Sequence, residues 1–173
     1  MSLILSGTDG VQGNSGAIVS GTAVSASGTS VDFTGIPSWV KRITVMFNGV
    51  STNGTSSLII QIGTSGGIQA TGYVGAGTLL ATGGSVYATS FTTGFGYRTE
   101  NATPVYSGAT QILLCDSSTG IWVASGALGS NSTVAGYTTG GTKTLSGTLD
   151  RIRITTVGGT NTFDAGTINI LYE

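Results

Sequence analysis

An all-β chain folded as an antiparallel β-sandwich of jelly-roll type, preceded by an extended N-terminal arm, is what this sequence predicts. Three observations carry that expectation. Apolar side chains alternate with polar ones at period two, most clearly near the front and at the back of the chain, as half-buried strands require. The 30 glycines, each costing about 1 kcal/mol inside a helix relative to alanine, argue against long helices. Turn signals recur at about the ten-residue spacing that favours a sandwich over a hollow barrel.

Residues 1–28 read LILSGTDGVQGNSGAIVSGTAVSASG after the first two residues, with short apolar steps between glycines and hydroxyls. Such a segment buries too little by itself to offset its ordering entropy. It is expected to be an attachment arm or short stem covered by a partner, the plainer alternative being a pair of N-terminal strands. The sandwich domain is expected to span 29–173. A short strand at 29–33 places Val31 and Phe33 on one side and Asp32 on the other. The turn Gly35-Ile36-Pro37-Ser38 follows, because Pro37 fixes its own φ and holds Ile36 extended.

The stretch 39–48, WVKRITVMFN, organises the rest. Ile43, Val45 and Phe47 share one face, Arg42, Thr44 and Asn48 the other, and Met46 interrupts the alternation. Asn48-Gly49 and Asn53-Gly54 are turn signals. Residues 57–62, SLIIQI, form a strand with Leu58, Ile60 and Ile62 inward. The eight glycines of 63–84 predict a loop-rich sheet edge with short strands near 69–73 and 78–81. Residues 109–115 and 121–125 are strands joined by a turn that starts with Asp116 and ends with Gly120. Weaker strands at 133–137 and 143–149 are separated by Gly140-Gly141. Residues 151–157 and 162–171 are expected to close the chain as an antiparallel hairpin, with Asp164 near Arg153 and Asp150 beside Arg151 as surface ion pairs. Ile43 and Val45 should meet Ile152 and Ile154 across one apolar layer.

Composition narrows the function. Six basic and seven acidic side chains leave a net charge of -1, so no polycationic surface exists to hold nucleic acid. Charged residues make up 8% of the chain against about a quarter in soluble domains, which leaves an exterior of hydroxyls and amides with little repulsion to oppose self-association. Histidine is absent, and with it the commonest general base and metal ligand. Without histidine and without a Gly-X-Ser-X-Gly elbow, a serine nucleophile lacks its usual base, although Lys41 and Lys143 could serve in principle. The carboxylates are each explained as turn or strand-end residues. No EF-hand loop brings Asp9, Asp116 or Asp164 together for calcium. Cys115, the single cysteine, follows Ile112, Leu113 and Leu114 and is expected to be a small buried hydrophobe. The opening residues lack a basic leader, so no signal peptide is expected, and no apolar run predicts membrane insertion. No enzyme activity, metal or cofactor is expected.

Binding chemistry is better supplied. Aromatic rings beside hydroxyls and amides suit saccharide recognition through ring-face contact and a few directed hydrogen bonds. Tyr73, Tyr87, Tyr97, Tyr106, Trp122 and Tyr137 fall in or beside Gly-rich loop regions and are the candidate surface glycan contacts. For each of them a core or subunit-contact ring is the simpler reading, and for Trp39, beside the best strand, more so.

Three segments carry a resemblance. SGTAVSASGTSVDFTGIPSWVKRITVMFNGVSTNG from Ser20 to Gly54, GTLDRIRITTVGGTNTFDAGTINILYE from Gly147 to Glu173, and LSGTDGV from Leu5 to Val11 resemble a module of tailed-bacteriophage virion proteins, described as tail-fibre or minor structural proteins. The resemblance implies a non-enzymatic virion component made in the host cytoplasm, a tail-fibre or receptor-binding protein touching a host surface glycan or protein. It implies a homotrimer whose N-terminal arm meets other virion proteins. A capsid decoration protein, a cement or head-fibre subunit on the head, is the alternative. No catalytic or receptor-binding residue is carried over, and 63–142 matches the module least.

Overall fold

The computed structural model describes residues 5–6, 10–11, 18–130 and 132–173. Its strands, in chain order, are β1 (Leu5–Ser6), β2 (Gly10–Val11), β3 (Val19–Ser20), β4 (Val24–Ser25), β5 (Ser30–Thr34), β6 (Arg42–Thr52), β7 (Leu58–Thr64), β8 (Gly67–Ile68), β9 (Tyr73–Leu80), β10 (Val86–Phe91), β11 (Phe95–Tyr97), β12 (Tyr106–Asp116), β13 (Ile121–Ser130), β14 (Ala135–Thr144), β15 (Arg151–Thr156) and β16 (Phe163–Tyr172). No helix occurs among the described residues. The fold is all-β and built of two antiparallel sheets. The larger runs β10-β9-β14-β13-β12-β6-β16-β3, with β4 also on β16, and the smaller runs β11-β7-β15-β5, with β8 on β7. Among the described residues, strands β1 and β2 pair only with each other.

One apolar layer joins the two sheets. Ile43, Val45, Ile112 and Ile168 point into it from the large sheet, Ile60, Ile62, Ile152 and Ile154 from the small one, and all eight are fully buried. Alternation thus produces what period two demands: Arg42 and Thr44 face out while Ile43 and Val45 face in. Met46 does not interrupt this pattern. It lies on the outer side, half-buried between Ala109 of β12 and Asn169 of β16. The ordered strand begins at Arg42 because residues 37–40 close a turn, the Val40 N–H donating to the Pro37 carbonyl at 3.1 Å.

Asn48-Gly49 is not a turn but a bulge inside β6. Gly49 has φ 65°, and the register shifts beside it in both neighbours, near Gly108 of β12 and Gly166 of β16. A Cβ on Gly166 would collide with the Gly49 backbone. Three adjacent strands therefore bend along one line, and inward alternation resumes at Val50.

The glycine-rich middle also differs from expectation. Residues 73–80 form an interior strand of the large sheet rather than a loop-rich edge, and β14 runs unbroken through Gly140-Gly141. The reason is close approach. A Cβ on Gly141 would lie 2.7 Å from the Val74 carbonyl oxygen of β9, and a Cβ on Gly75 would lie 2.6 Å from that of Gly140. Gly77 faces Gly96 of β11 so closely that neither backbone could carry a side chain there, and the Phe91 ring fills the space over Gly96. Glycine draws β9 against β14 within the large sheet at Gly75 and Gly141, and closes the two sheets on each other at Gly77 and Gly96.

Residues 151–171 are not a hairpin. β15 pairs with β5 and β7 in the small sheet, whereas β16 pairs with β6 in the large one, so residues 157–162 cross between sheets. Arg153 accordingly meets Asp32 of β5 at 2.7 Å, not Asp164, whose carboxylate accepts from the Ser51 hydroxyl. The pair of Asp150 and Arg151 forms as expected, at 2.8 Å. Of the proposed arm, residues 1–4, 7–9 and 12–17 lie outside the described residues, while β3 and β4 add to the edge of the large sheet along β16 and Ala26 is buried. Cys115 is exposed rather than buried. It sits at the register shift between Leu114 and Asp116, where β12 turns its last residues out of the core layer.

Candidate functional site

The six candidate glycan contacts separate into three groups. Tyr73, Tyr97, Tyr106 and Tyr137 are core rings, none more than 3% exposed. The Tyr73 hydroxyl accepts from the Ile62 N–H at 2.7 Å and its ring meets Phe95 edge-on at 5.1 Å. Tyr97 lies 2.6 Å from the Thr110 hydroxyl across the two sheets. Tyr106 and Tyr137 pack edge to face at 5.0 Å. Burial pushes the phenols of Tyr73, Tyr97 and Tyr106 well above their ordinary range. A ring so enclosed has no free face for a sugar, and these four do not make a surface site. The Tyr97 hydroxyl fills the space that a side chain on Gly126 of β13 would take.

Tyr87 is exposed at the sheet edge on β10, with the Arg98 guanidinium 5.4 Å over its ring. Arg98 also donates to the Ala88 carbonyl at 3.3 Å and pairs with Glu100 at 2.5 Å. Tyr87 is thus half of a cation–π contact that covers the free edge of β10.

Trp122 is as enclosed as the four core tyrosines, at 3% exposure, and offers no free ring face of its own; what sets it apart is its place. It lies on β13 at one end of the sandwich, in the floor of a cleft of about 380 Å³. Three segments wall this cleft: residues 38–41, the 117–120 turn between β12 and β13, and residues 145–149 after β14. The core supplies its floor through Val40, Leu114, Trp122, Leu145 and Leu149. Its rim consists of Ser38, Ser117, Ser118, Thr119, Ser146 and Thr148, and Lys41 is the one charged side chain lining it.

The walls are pinned by main-chain hydrogen bonds. Leu145 N–H donates to the Gly120 carbonyl at 3.0 Å, Leu114 N–H to Lys41 at 2.8 Å, and Ile36 N–H to Asp150 at 2.8 Å. Asp116 fixes the turn itself by accepting from the Ser118 N–H, the Ser118 hydroxyl and the Thr119 hydroxyl at 2.7 to 2.8 Å. These donors hold its carboxyl below the usual carboxylate range, the Ser118 hydroxyl contributing most. Ser146 accepts from Gln69. Ser38, Ser117 and Thr148 are exposed and make no side-chain hydrogen bond among the described residues. The cleft offers an apolar floor and a preformed ring of neutral donors and acceptors, the chemistry that a polyhydroxylated neutral ligand needs.

Sequence reasoning selected Trp122 but missed the rim, because Ser38, Ser117 and Thr148 come together only when three turns meet at one end. Lys143 was offered as a possible base. Its amine is buried away from the cleft, donating to the Thr144 carbonyl at 2.7 Å and sitting 5.6 Å from the Tyr73 ring, and desolvation holds its pKa below the ordinary value. No three metal-ligating side chains cluster among the described residues, and Asp9 lies outside them. Comparison with protein-family models, with curated proteins and with solved structures finds nothing that matches this chain.

Proposed function

We propose that this chain is a non-enzymatic structural subunit of a tailed-phage virion, a tail-fibre or receptor-binding component that assembles as a homotrimer and touches neutral glycans of the host surface. The observation that carries the contact role is the end cleft, where hydroxyls from three pinned turns surround the Trp122 floor and Lys41 is the one charged side chain in the lining. Support for the virion part comes from the segments that carry the resemblance. Residues 20–54 and 147–173 supply β5, β6, β15 and β16, and these pair or pack as one half of the fold. The jelly-roll assignment belongs to the same proposal, supported by the chain's repeated passage between sheets, as from β5 to β6, β6 to β7, β10 to β11 and β15 to β16.

Electron cryo-microscopy of intact particles should place the subunit on the tail. A head position would replace this role with capsid decoration, and absence from the particle would end both. For the contact role, the soluble protein in a Trp39→Phe background should show Trp122 fluorescence changes with host-surface oligosaccharides and should compete with phage adsorption. Leu149→Trp, which fills the cleft from its floor, should abolish both effects.

A further inference from the structure

The outer faces of the two sheets differ in charge. On the small sheet, Asp32, Arg151 and Arg153 project outward on neighbouring strands. On the large sheet, the outward positions of β10, β9, β14, β13 and β12 carry no charged side chain except Asp116, at the very end of β12 opposite Ile121, whose carboxylate is bound into the 117–120 turn. One row across these five strands reads Ala88, Thr78, Thr138, Ala127 and Ala109. The rows on either side are also neutral but less uniform, one carrying Gln111 and the outermost being aliphatic at Val123 and Leu113; at the margins Val74, Leu80 and Val86 are 73%, 54% and 61% exposed. The Thr78 and Thr138 hydroxyls bond each other at 2.6 Å. They would therefore lose little on leaving water.

We propose that this face is where copies of the chain meet, the occupant being the same face of a second copy. Two features on the surface select that occupant. A face without charge neither repels its own copy nor attracts an acidic or basic partner. Its size is also sufficient. Five strands about 4.8 Å apart and four rows about 6.8 Å apart give a patch of about 650 Å² per copy. Pairing two such patches buries about 1,300 Å², within the range of specific interfaces. Small side chains let sheets pack face to face without interdigitated bulk.

This inference goes beyond the proposed function: one face meeting its own copy is a two-fold contact that makes a dimer, so it stands in place of the homotrimer and does not depend on where the subunit sits on a particle. Light scattering of the full-length chain should give twice its 17.2 kDa mass, and a trimer would overturn the pairing. Thr138→Lys, at the centre of the face, should shift that mass to one copy, whereas Thr34→Lys, exposed on the small sheet, should leave it unchanged. If the lysine variant fails to fold, Thr138→Cys in a Cys115→Ser background should cross-link between copies while Thr34→Cys does not. A wild-type monomer at micromolar concentration, an assembled Thr138→Lys, or cross-linking from Thr34 alone would each overturn the proposal. Assembly through this face in a protein that never reaches a particle would leave it standing and remove only the virion role.

Discussion

The half of the molecule built from β5, β6, β7, β15 and β16 holds its sheets together by filling the space between them with aliphatic side chains, whereas the half built from β9, β11 and β14 combines rings such as Tyr73 and Phe95 with points where glycine removes the side chain altogether. In the first, Ile43, Ile60, Ile152 and Ile154 meet with no exposed surface. In the second, Gly77 and Gly96 bring two backbones into contact and Phe91 covers the gap. Both solutions give a close-packed interior. They differ in what a single methyl group does: in the aliphatic half losing carbon is costly, in the glycine half gaining carbon is.

The largest effect is expected from Ile154→Ala. The side chain is fully buried between β5 and β7, and its loss should lower unfolding stability by about 2–5 kcal/mol in chemical denaturation. A cost under about 1 kcal/mol would mean that the aliphatic layer is not close-packed. Gly77→Ala comes next. Its added Cβ would meet the Gly96 carbonyl and the Phe91 ring, and the overpacking should cost about 1–3 kcal/mol. An unchanged midpoint would show that β11 can withdraw from β9, and the contrast between the halves would fail.

The aliphatic half was legible in the sequence because period two is a local signal: Ile43, Val45, Ile152 and Ile154 announce their faces without knowledge of their partners. The glycine half was not. Nothing local distinguishes Gly77, which lies against another backbone, from a glycine in a loop, so an interior strand reads as a loop-rich edge. For the same reason Tyr73, Tyr97, Tyr106 and Tyr137 read as loop aromatics when they are core. Pairing was harder to read: the Gly158-Gly159 turn that suggests a hairpin instead carries the chain from one sheet to the other, so that β16 pairs with β6 rather than β15. The cleft was legible only as Trp122, since its rim is assembled from turns far apart in the chain.

A smaller effect tests whether charge contributes to the aliphatic half. Arg153 and Asp32 form two parallel hydrogen bonds at 2.7 and 2.8 Å across β15 and β5, with more than a third of each side chain exposed. Solvent screening limits such a pair, so Arg153→Ala should cost no more than about 1 kcal/mol, and high salt should reduce the difference from wild type. A larger loss, insensitive to salt, would mean that the small sheet's outer face holds its edge strand by charge as much as by burial.

The smallest effect isolates close approach from glycine content. Gly136 lies in the same strand as Gly141, yet a Cβ placed on it would meet only the Leu80 Cβ, at 3.8 Å, an ordinary contact. Its backbone is not in the left-handed region. Alanine there should therefore restrict the unfolded chain without straining the folded one, leaving stability unchanged or raising it by about 0.4–1 kcal/mol. Gly141→Ala, five positions along β14, should destabilise because its Cβ would lie 2.8 Å from the Gly75 Cα. Opposite signs for two identical substitutions in one strand would locate the requirement in the approach of β9, whereas equal losses would make glycine's effect on this strand one of backbone freedom alone.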